Sequence, residues 1–216
     1  MTDRPDGEVL VTAHTPGAPG ALLVIISGPS GVGKDTVIEA MRARPHDPEY
    51  HYVVTCTTRA RRAGEIDGVH YRFLTRAAFR ALNRAGELLE ANEVHGNLYG
   101  TPRRPVREAL AGGHDVILKI DVQGAQVVKE NVSDALLVFL VPPSLQDLFQ
   151  RLRTRATETA DELDLRQRNA AIELARQDDY DYVVTNETGE VERTAARIDR
   201  IIAREHRRYP TRRVSV

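Results

Sequence analysis

Residues 21–27 (ALLVIIS) form a short, continuous apolar run that ends at the glycine-rich segment GPSGVGK. A run this short, rich in β-branched residues and closed by glycine, predicts a strand buried on both faces. Helical patterning follows over 34–44 and stops at Pro45, so the opening unit is strand, Gly-rich loop, helix. Two later runs, 115–120 (DVILKI) and 135–141 (ALLVFLV), read as further buried strands. The first leads into a helix at 122–131. The second is stopped by Pro142-Pro143, and Ser144 caps a helix to about Arg153. A charged stretch, 154–164, precedes a long helix to about Gln177. A last strand falls at 181–185 and a last helix at 190–207. Buried strands alternating with helices imply an α/β fold, a parallel sheet with helices on both faces.

The section from 53 to 100 breaks that rhythm. Residues 51–56 (HYVVTC), 69–74 (VHYRFL) and 87–94 (ELLEANEV) read as closely spaced strands, with a helix from a Thr75 cap to about Arg84 and a turn at 96–100. A helix over 103–110 ends at Gly112-Gly113. Such a stretch suits a small mixed lobe inserted in the core. Residues 1–20, with Pro5, Gly7, Pro16, Gly17, Pro19 and Gly20, read as a flexible leader, and 208–216 as a tail.

Composition narrows the function. The 216 residues suit one compact domain, and a net charge of -1 provides no basic field for nucleic acid or an anionic membrane. Any anion site must therefore be local. Cys56 is the only cysteine, which excludes an intrachain disulfide and a Cys-rich metal site, and the histidines show no metal-ligand spacing. No apolar run approaches the roughly 20 residues of a membrane span, and the N-terminus lacks signal-peptide patterning. The expectation is a soluble cytoplasmic protein.

The local anion site is legible. Gly28-Pro29-Ser30-Gly31-Val32-Gly33-Lys34 fits G-x-x-x-x-G-K between a strand and a helix. Glycines let backbone N–H groups turn around phosphate oxygens, the helix N-terminus adds a positive dipole, and the lysine reaches the outer phosphates. One position departs from the motif. A hydroxyl for Mg²⁺ is expected after the lysine, but Asp35 stands there, followed by Thr36. Asp35 is either an oxygen ligand for Mg²⁺ or an acid favoured by the helix dipole.

The phosphate loop does not name an acceptor. The segment Thr55-Cys56-Thr57-Thr58-Arg59-Ala60-Arg61-Arg62-Ala63-Gly64-Glu65, with Gly68, Tyr71, Glu90, Gly96-Asn97-Leu98-Tyr99-Gly100-Thr101 and Ile120-Asp121-Val122-Gln123-Gly124-Ala125, resembles the guanylate kinase family over nearly all of 21–207. The resemblance implies ATP as phosphate donor, GMP as acceptor and Mg²⁺ as cofactor. It divides the chain into a core (21–52, 101–142 and 179–207), a GMP-binding lobe (53–100) and a lid (143–178). It implies that Arg59, Arg62, Tyr71 and Tyr99 hold the GMP phosphate, work that guanidinium forks and phenol hydroxyls suit. It assigns the base pocket to Thr55, Glu90, Thr101 and Asp121. Guanine offers two adjacent N–H donors, for which a carboxylate is the natural partner, and a carbonyl that a Thr hydroxyl can satisfy.

The resemblance further implies that Arg151, Arg155 and Arg166 surround the transferring phosphoryl group and that Asn186 lies on the adenine side. The family usually has Ser or Thr at Asp35 and an acid at Lys119, so this chain has an acid at the first position and a base at the second. Either these are two unrelated surface changes, or the carboxylate has moved from strand to loop, in which case the Asp35 and Lys119 side chains meet beside the phosphate loop. Two rival readings are a ribosyl-bisphosphate phosphokinase-like enzyme, which also has Asp after the loop lysine, and a non-catalytic guanylate-kinase-like binding module.

Overall fold

The computed structural model describes residues 20–94, 96–154 and 160–216. Strand β1 (Leu23–Ser27) leads through the Gly-rich loop into helix α1 (Lys34–Arg42) and strand β2 (His51–Tyr52). Next come β3 (Cys56–Thr57), β4 (Arg72–Phe73), α2 (Arg76–Arg84), β5 (Leu88–Val94) and β6 (Asn97–Pro102). The chain continues through α3 (Arg103–Ala111), β7 (Val116–Lys119), α4 (Val122–Asn131), β8 (Leu136–Val141), α5 (Leu145–Thr154) and α6 (Ala160–Leu174). Strand β9 (Tyr182–Thr185) and helix α7 (Val191–Arg208) follow.

The buried runs assemble as their patterning requires. They form a parallel five-stranded sheet in the order β2-β7-β1-β8-β9. Alternation sorts β1 between two cores. Leu22, Val24 and Ile26 pack with Val37 and Met41 of α1 and Ile198 and Ile202 of α7 on one face. Leu23 and Ile25 pack with Val106 and Leu110 of α3 and Ala125 and Val128 of α4 on the other. The α/β architecture expected from the sequence is thus present.

The mixed section folds as a second, four-stranded sheet in the order β4-β3-β6-β5. Three local expectations are corrected there. The strand expected at 51–56 is split between the sheets: Val53 N still donates to Ile117 O of the core, whereas Thr55 O accepts from Arg72 N and Cys56 pairs with Gly100. The strand expected at 69–74 shortens to Arg72–Phe73, because Gly68 N turns back to Tyr71 O. The turn expected at 96–100 is mostly strand, since 97–102 pair antiparallel with β5. Gly100 serves close packing there: a Cβ would stand 2.9 Å from both Leu88 and Phe79.

Two capping expectations hold: Thr75 Oγ1 accepts from Ala78 N and Ser144 Oγ from Asp147 N. Helix α6 starts earlier than the charged stretch suggested. Asp164 pairs with Arg168 one turn on (2.8 Å), so part of that stretch is a solvated helix face. Residues 208–216, set apart as a tail by their sequence, contribute Val214 and Val216 to the core beside α3 and α4. The proposed leader, 1–20, falls outside the described residues except for Gly20, whose N–H donates to Arg212 O.

Because Val214 is fully buried, Val214→Ala should lower unfolding free energy by about 1.5–3 kcal/mol in urea denaturation. A change within about 0.5 kcal/mol, the range of surface substitutions, would show that this segment adds nothing to the core.

Candidate active site

The parallel strands bring their C-terminal ends to one edge, and the candidate residues leave from there. The loop after β1 is shaped by Gly28, whose φ of 142 is closed to other residues and whose added Cβ would stand 2.4 Å from Leu140 O. Lys34 opens α1 and folds back, donating through Nζ to Gly28 O (2.6 Å) and Pro29 O (3.1 Å). Burial pulls the Lys34 pKa below the usual lysine value, and Glu173 is foremost among the acids that oppose that pull. Helix α6 reaches the same loop twice: Glu173 Oε2 accepts from Ser30 N (3.1 Å), and Arg166 Nη2 donates to Ser30 Oγ (3.2 Å).

Opposite the loop, the second sheet presents Arg59, Tyr71 and Tyr99. The Tyr71 and Tyr99 rings meet edge to face at 6.2 Å, and the Arg59 guanidinium carbon lies 5.5 Å from the Tyr71 ring centre. Glu65 holds the Arg59 fork through two bonds of 2.6 and 3.1 Å and also accepts from Arg62 N at 2.7 Å. The Lys119 ammonium, at the end of β7, lies 4.7 Å from the Tyr71 ring centre and forms an ion pair with Asp35. The sequence expectation that positions 35 and 119 meet is therefore met.

A third group lies deeper. Thr101 Oγ1 donates to Glu90 Oε1 (2.7 Å), while the buried Glu90 Oε2 and Asn92 Oδ1 have no hydrogen-bond partner among the described residues. Burial raises the Glu90 pKa to about 7, and Asp121 adds to the rise against the Thr101 bond. Asp121 caps α4: its Oδ1 accepts from Gln123 N (2.9 Å), Gly124 N (3.0 Å) and Asn92 Nδ2 (3.2 Å). Gly124 leaves room for the pair above it, since a Cβ there would stand 3.0 Å from Asn92 and 3.1 Å from Glu90.

A single cavity of about 550 Å³ joins the three groups. Gly28, Ser30, Gly31, Gly33, Lys34, Asp35, Thr55, Arg59, Arg62, Tyr71, Glu90, Tyr99, Asp121 and Arg166 line it, together with Lys119 and Glu173. Other expected residues stand behind or beside this lining. Thr101 supports Glu90, and Asn186 Nδ2 holds Val32 O (2.8 Å). Arg151 donates to Val32 O, Asn186 O and Thr188 Oγ1, bracing the loop from behind. Pro29 accepts from Lys34, and Thr36 is exposed on α1. Arg155 lies outside the described residues.

A family model described as guanylate kinase matches residues 21–205. The chain belongs to the guanylate kinase family. It is 50% identical over 167 residues to "Guanylate kinase" of Nocardia farcinica, covering 76% of this chain and 86% of that protein. It is 46% identical over 185 residues to "Guanylate kinase" of Halalkalibacterium halodurans, covering 86% and 89%. Among solved structures, guanylate kinase from Anaplasma phagocytophilum superposes with a TM-score of 0.69 at 32% identity, covering 88% of each chain. Against this guanylate kinase background, the sequence reading passed over Glu65, Asn92 and Glu173. Glu65 had a signal, an acid six residues after Arg59 in one loop. Glu173 had none, because it lies 143 residues from the Ser30 it binds.

Glu90 generates a stability prediction. Its folded pKa of about 7 exceeds the ordinary 4.5, so the native state holds this proton more tightly than the unfolded chain does. Stability from this group is full below the ordinary value and is lost as pH rises toward 7. Glu90→Gln should therefore raise the melting temperature of the ligand-free protein by a few degrees at pH 8, with little change at pH 5. Equal shifts at both pH values would mean that the buried charge is not the cause.

Proposed function

We propose that the chain transfers the γ-phosphoryl group of ATP to GMP, giving ADP and GDP, within purine nucleotide metabolism and GMP recycling. The observation that carries this reading is Glu90: a buried carboxylate oxygen without a hydrogen-bond donor among the described residues, in the same cavity as a phosphate loop. Two adjacent N–H donors of guanine would satisfy it, whereas adenine would set a ring acceptor against it. A sugar phosphate has no base for Glu90 and Asn92 to read. A binding module without catalysis has no need of Lys34 in the loop.

The proposed roles combine the positions described above with the family resemblance, which alone supplies those of Arg151 and Arg155. The loop 28–34 and Lys34 take the ATP phosphates, with Arg166 closing over them from α6 and Arg155 and Arg151 joining the lid 143–178. Arg59, held by Glu65, and Arg62, Tyr71 and Tyr99 take the acceptor phosphate in the lobe 53–100. Thr55, Glu90, Thr101 and Asp121 form the base pocket, and Thr36 and Asn186 lie toward the adenosine end. The acceptor oxygen is already anionic, so the reaction needs alignment and charge compensation rather than a side-chain base.

Mg²⁺ would neutralise charge on the ATP phosphates. No cluster of three or more His, Cys, Asp or Glu occurs among the described residues, while Mg²⁺ in such sites commonly keeps waters and uses one or two carboxylates plus phosphates. Asp35, at the start of α1 and on the cavity wall, fits that single-carboxylate role. Among the described residues no helix is long and apolar enough to cross a membrane. We place the activity in the cytoplasm, on small molecules, in a monomer or weak homo-oligomer.

A coupled ADP-release assay with GMP and AMP tests the reading. GMP should be preferred by at least about two orders of magnitude in kcat/KM, roughly 2.7 kcal/mol, and Glu90→Gln should forfeit most of that preference. Comparable rates with AMP would remove the guanine assignment. Glu173 supplies a second test, because its carboxylate holds a loop N–H that ATP phosphates would use. Glu173→Gln weakens that self-contact, so ATP should bind several-fold more tightly by calorimetry. Unchanged or weaker binding would mean that Glu173 supports the loop rather than competing for it.

A further inference from the structure

Lys119 stands at a seam. Strand β7 lies beside β1 with Lys119 opposite Ile26, so its side chain emerges one step from the phosphate loop. Its ammonium lies over the Tyr71 ring, and Tyr71 is also the ring nearest Arg59 among its cation contacts. Lys34, Asp35, Arg59, Tyr71 and Lys119 all line the same cavity. The ammonium is therefore sited between the group that would hold the donor phosphates and the group that would hold the acceptor phosphate. Two anions brought together for in-line transfer repel each other, and a cation between them offsets that repulsion.

The ion-pair partner of Lys119 is ill matched to it in burial. The Lys119 side chain is 19% exposed, the Asp35 side chain 61%. A carboxylate that well solvated holds a lysine weakly, since exposed ion pairs contribute roughly 0–1 kcal/mol. A phosphate monoester inside the cavity offers more acceptor oxygens and about twice the charge. The ammonium lines the cavity, where a stronger anion can reach it.

We propose that Lys119 is a further binding residue for the acceptor phosphate, held by Asp35 when the site is empty and transferred to the phosphate when the nucleotide enters. The inference rests on the reading of this cavity as a GMP site. Arg59 and Lys119, both against the Tyr71 ring, then grip the phosphate together, one from the loop after β3 and the other from the end of β7. Closing the cavity around the nucleotide and exchanging the Lys119 partner become one event.

The test is calorimetric titration of the ligand-free protein with GMP and with guanosine, in EDTA and without ATP. Lys119→Gln should weaken GMP binding by at least about tenfold, the size of a charge-assisted hydrogen bond, and leave guanosine within about twofold. Retained guanosine binding also shows that the variant is folded. Asp35→Asn should tighten GMP binding by releasing Lys119, and that gain should disappear in the Lys119→Gln background. GMP affinity unchanged in Lys119→Gln, or an equal loss for guanosine, would overturn the assignment. An Asp35→Asn gain of equal size in both backgrounds would overturn the transfer between partners. Failure of the unaltered protein to bind either ligand would remove the GMP reading itself, and this inference with it.

Discussion

Everything in the site depends on the confinement of β1. Both its faces are buried, and β7 and β8 occupy both its edges, so its backbone has no freedom to shift. The chain can only leave at its C-terminal end, where Leu140 O of the neighbouring strand crowds Gly28 and forces the turn. Parallel neighbours finish at the same edge. Lys119 and the Asp121 cap therefore come from β7, and Asn186 follows β9. Ligand crevices outside the carboxyl ends of parallel strands are a general consequence of this geometry. Here the second sheet closes the crevice from the other side.

Within that crevice the ligand-free chain offsets its own positive charge with carboxylates. Glu173 sits on a loop N–H, Glu65 holds Arg59, and Asp35 pairs with Lys119. An uncompensated cluster of cations would repel itself and oppose folding, and Arg59 and Lys119 each have an acid in contact. On the proposed reading, substrate phosphates would be stronger anions at the same places. Binding would then be an exchange of anions rather than the filling of an empty cationic pocket, coupling substrate entry to movement of whichever element carries the displaced acid. For Glu173 that element is α6.

The core was readable because its information is local. The runs 21–27, 115–120 and 135–141 became central strands within one or two residues, and their continuous apolar patterning is what burial on both faces demands. The phosphate loop was equally plain, since seven adjacent residues carry it. The lobe was less so. Its strands β3 and β4 are two residues each, too short for alternation to register, and the crossing at Val53–Thr55 is decided by pairing with Gly100 and Arg72 far along the chain. The charge-holding acids were hardest to read. Glu173 meets its partner 143 residues away, and no periodicity encodes that, while the Asp35–Lys119 pair, 84 residues apart, was legible only through two departures from the family pattern.

The three acids are not equally exchangeable. Glu65 grips Arg59 with two oxygens and also accepts from Arg62 N, and both side chains are mostly shielded, at 17% and 13% exposure. Breaking it would strand two donors at once, so it acts as a fixed brace that aims the guanidinium. Asp35, by contrast, projects from the first turn of α1 into solvent, where water can replace Lys119 at little cost. Glu173 is intermediate, with its contact to a loop N–H partly buried. The order of release set by solvation is Asp35, then Glu173, with Glu65 retained. On the proposed reading, the acceptor-phosphate wall is thus preformed around Arg59 and adjustable at Lys119. A fixed cation gives register, and a mobile one lets the second phosphate approach without a rigid charge that favours a single intermediate position.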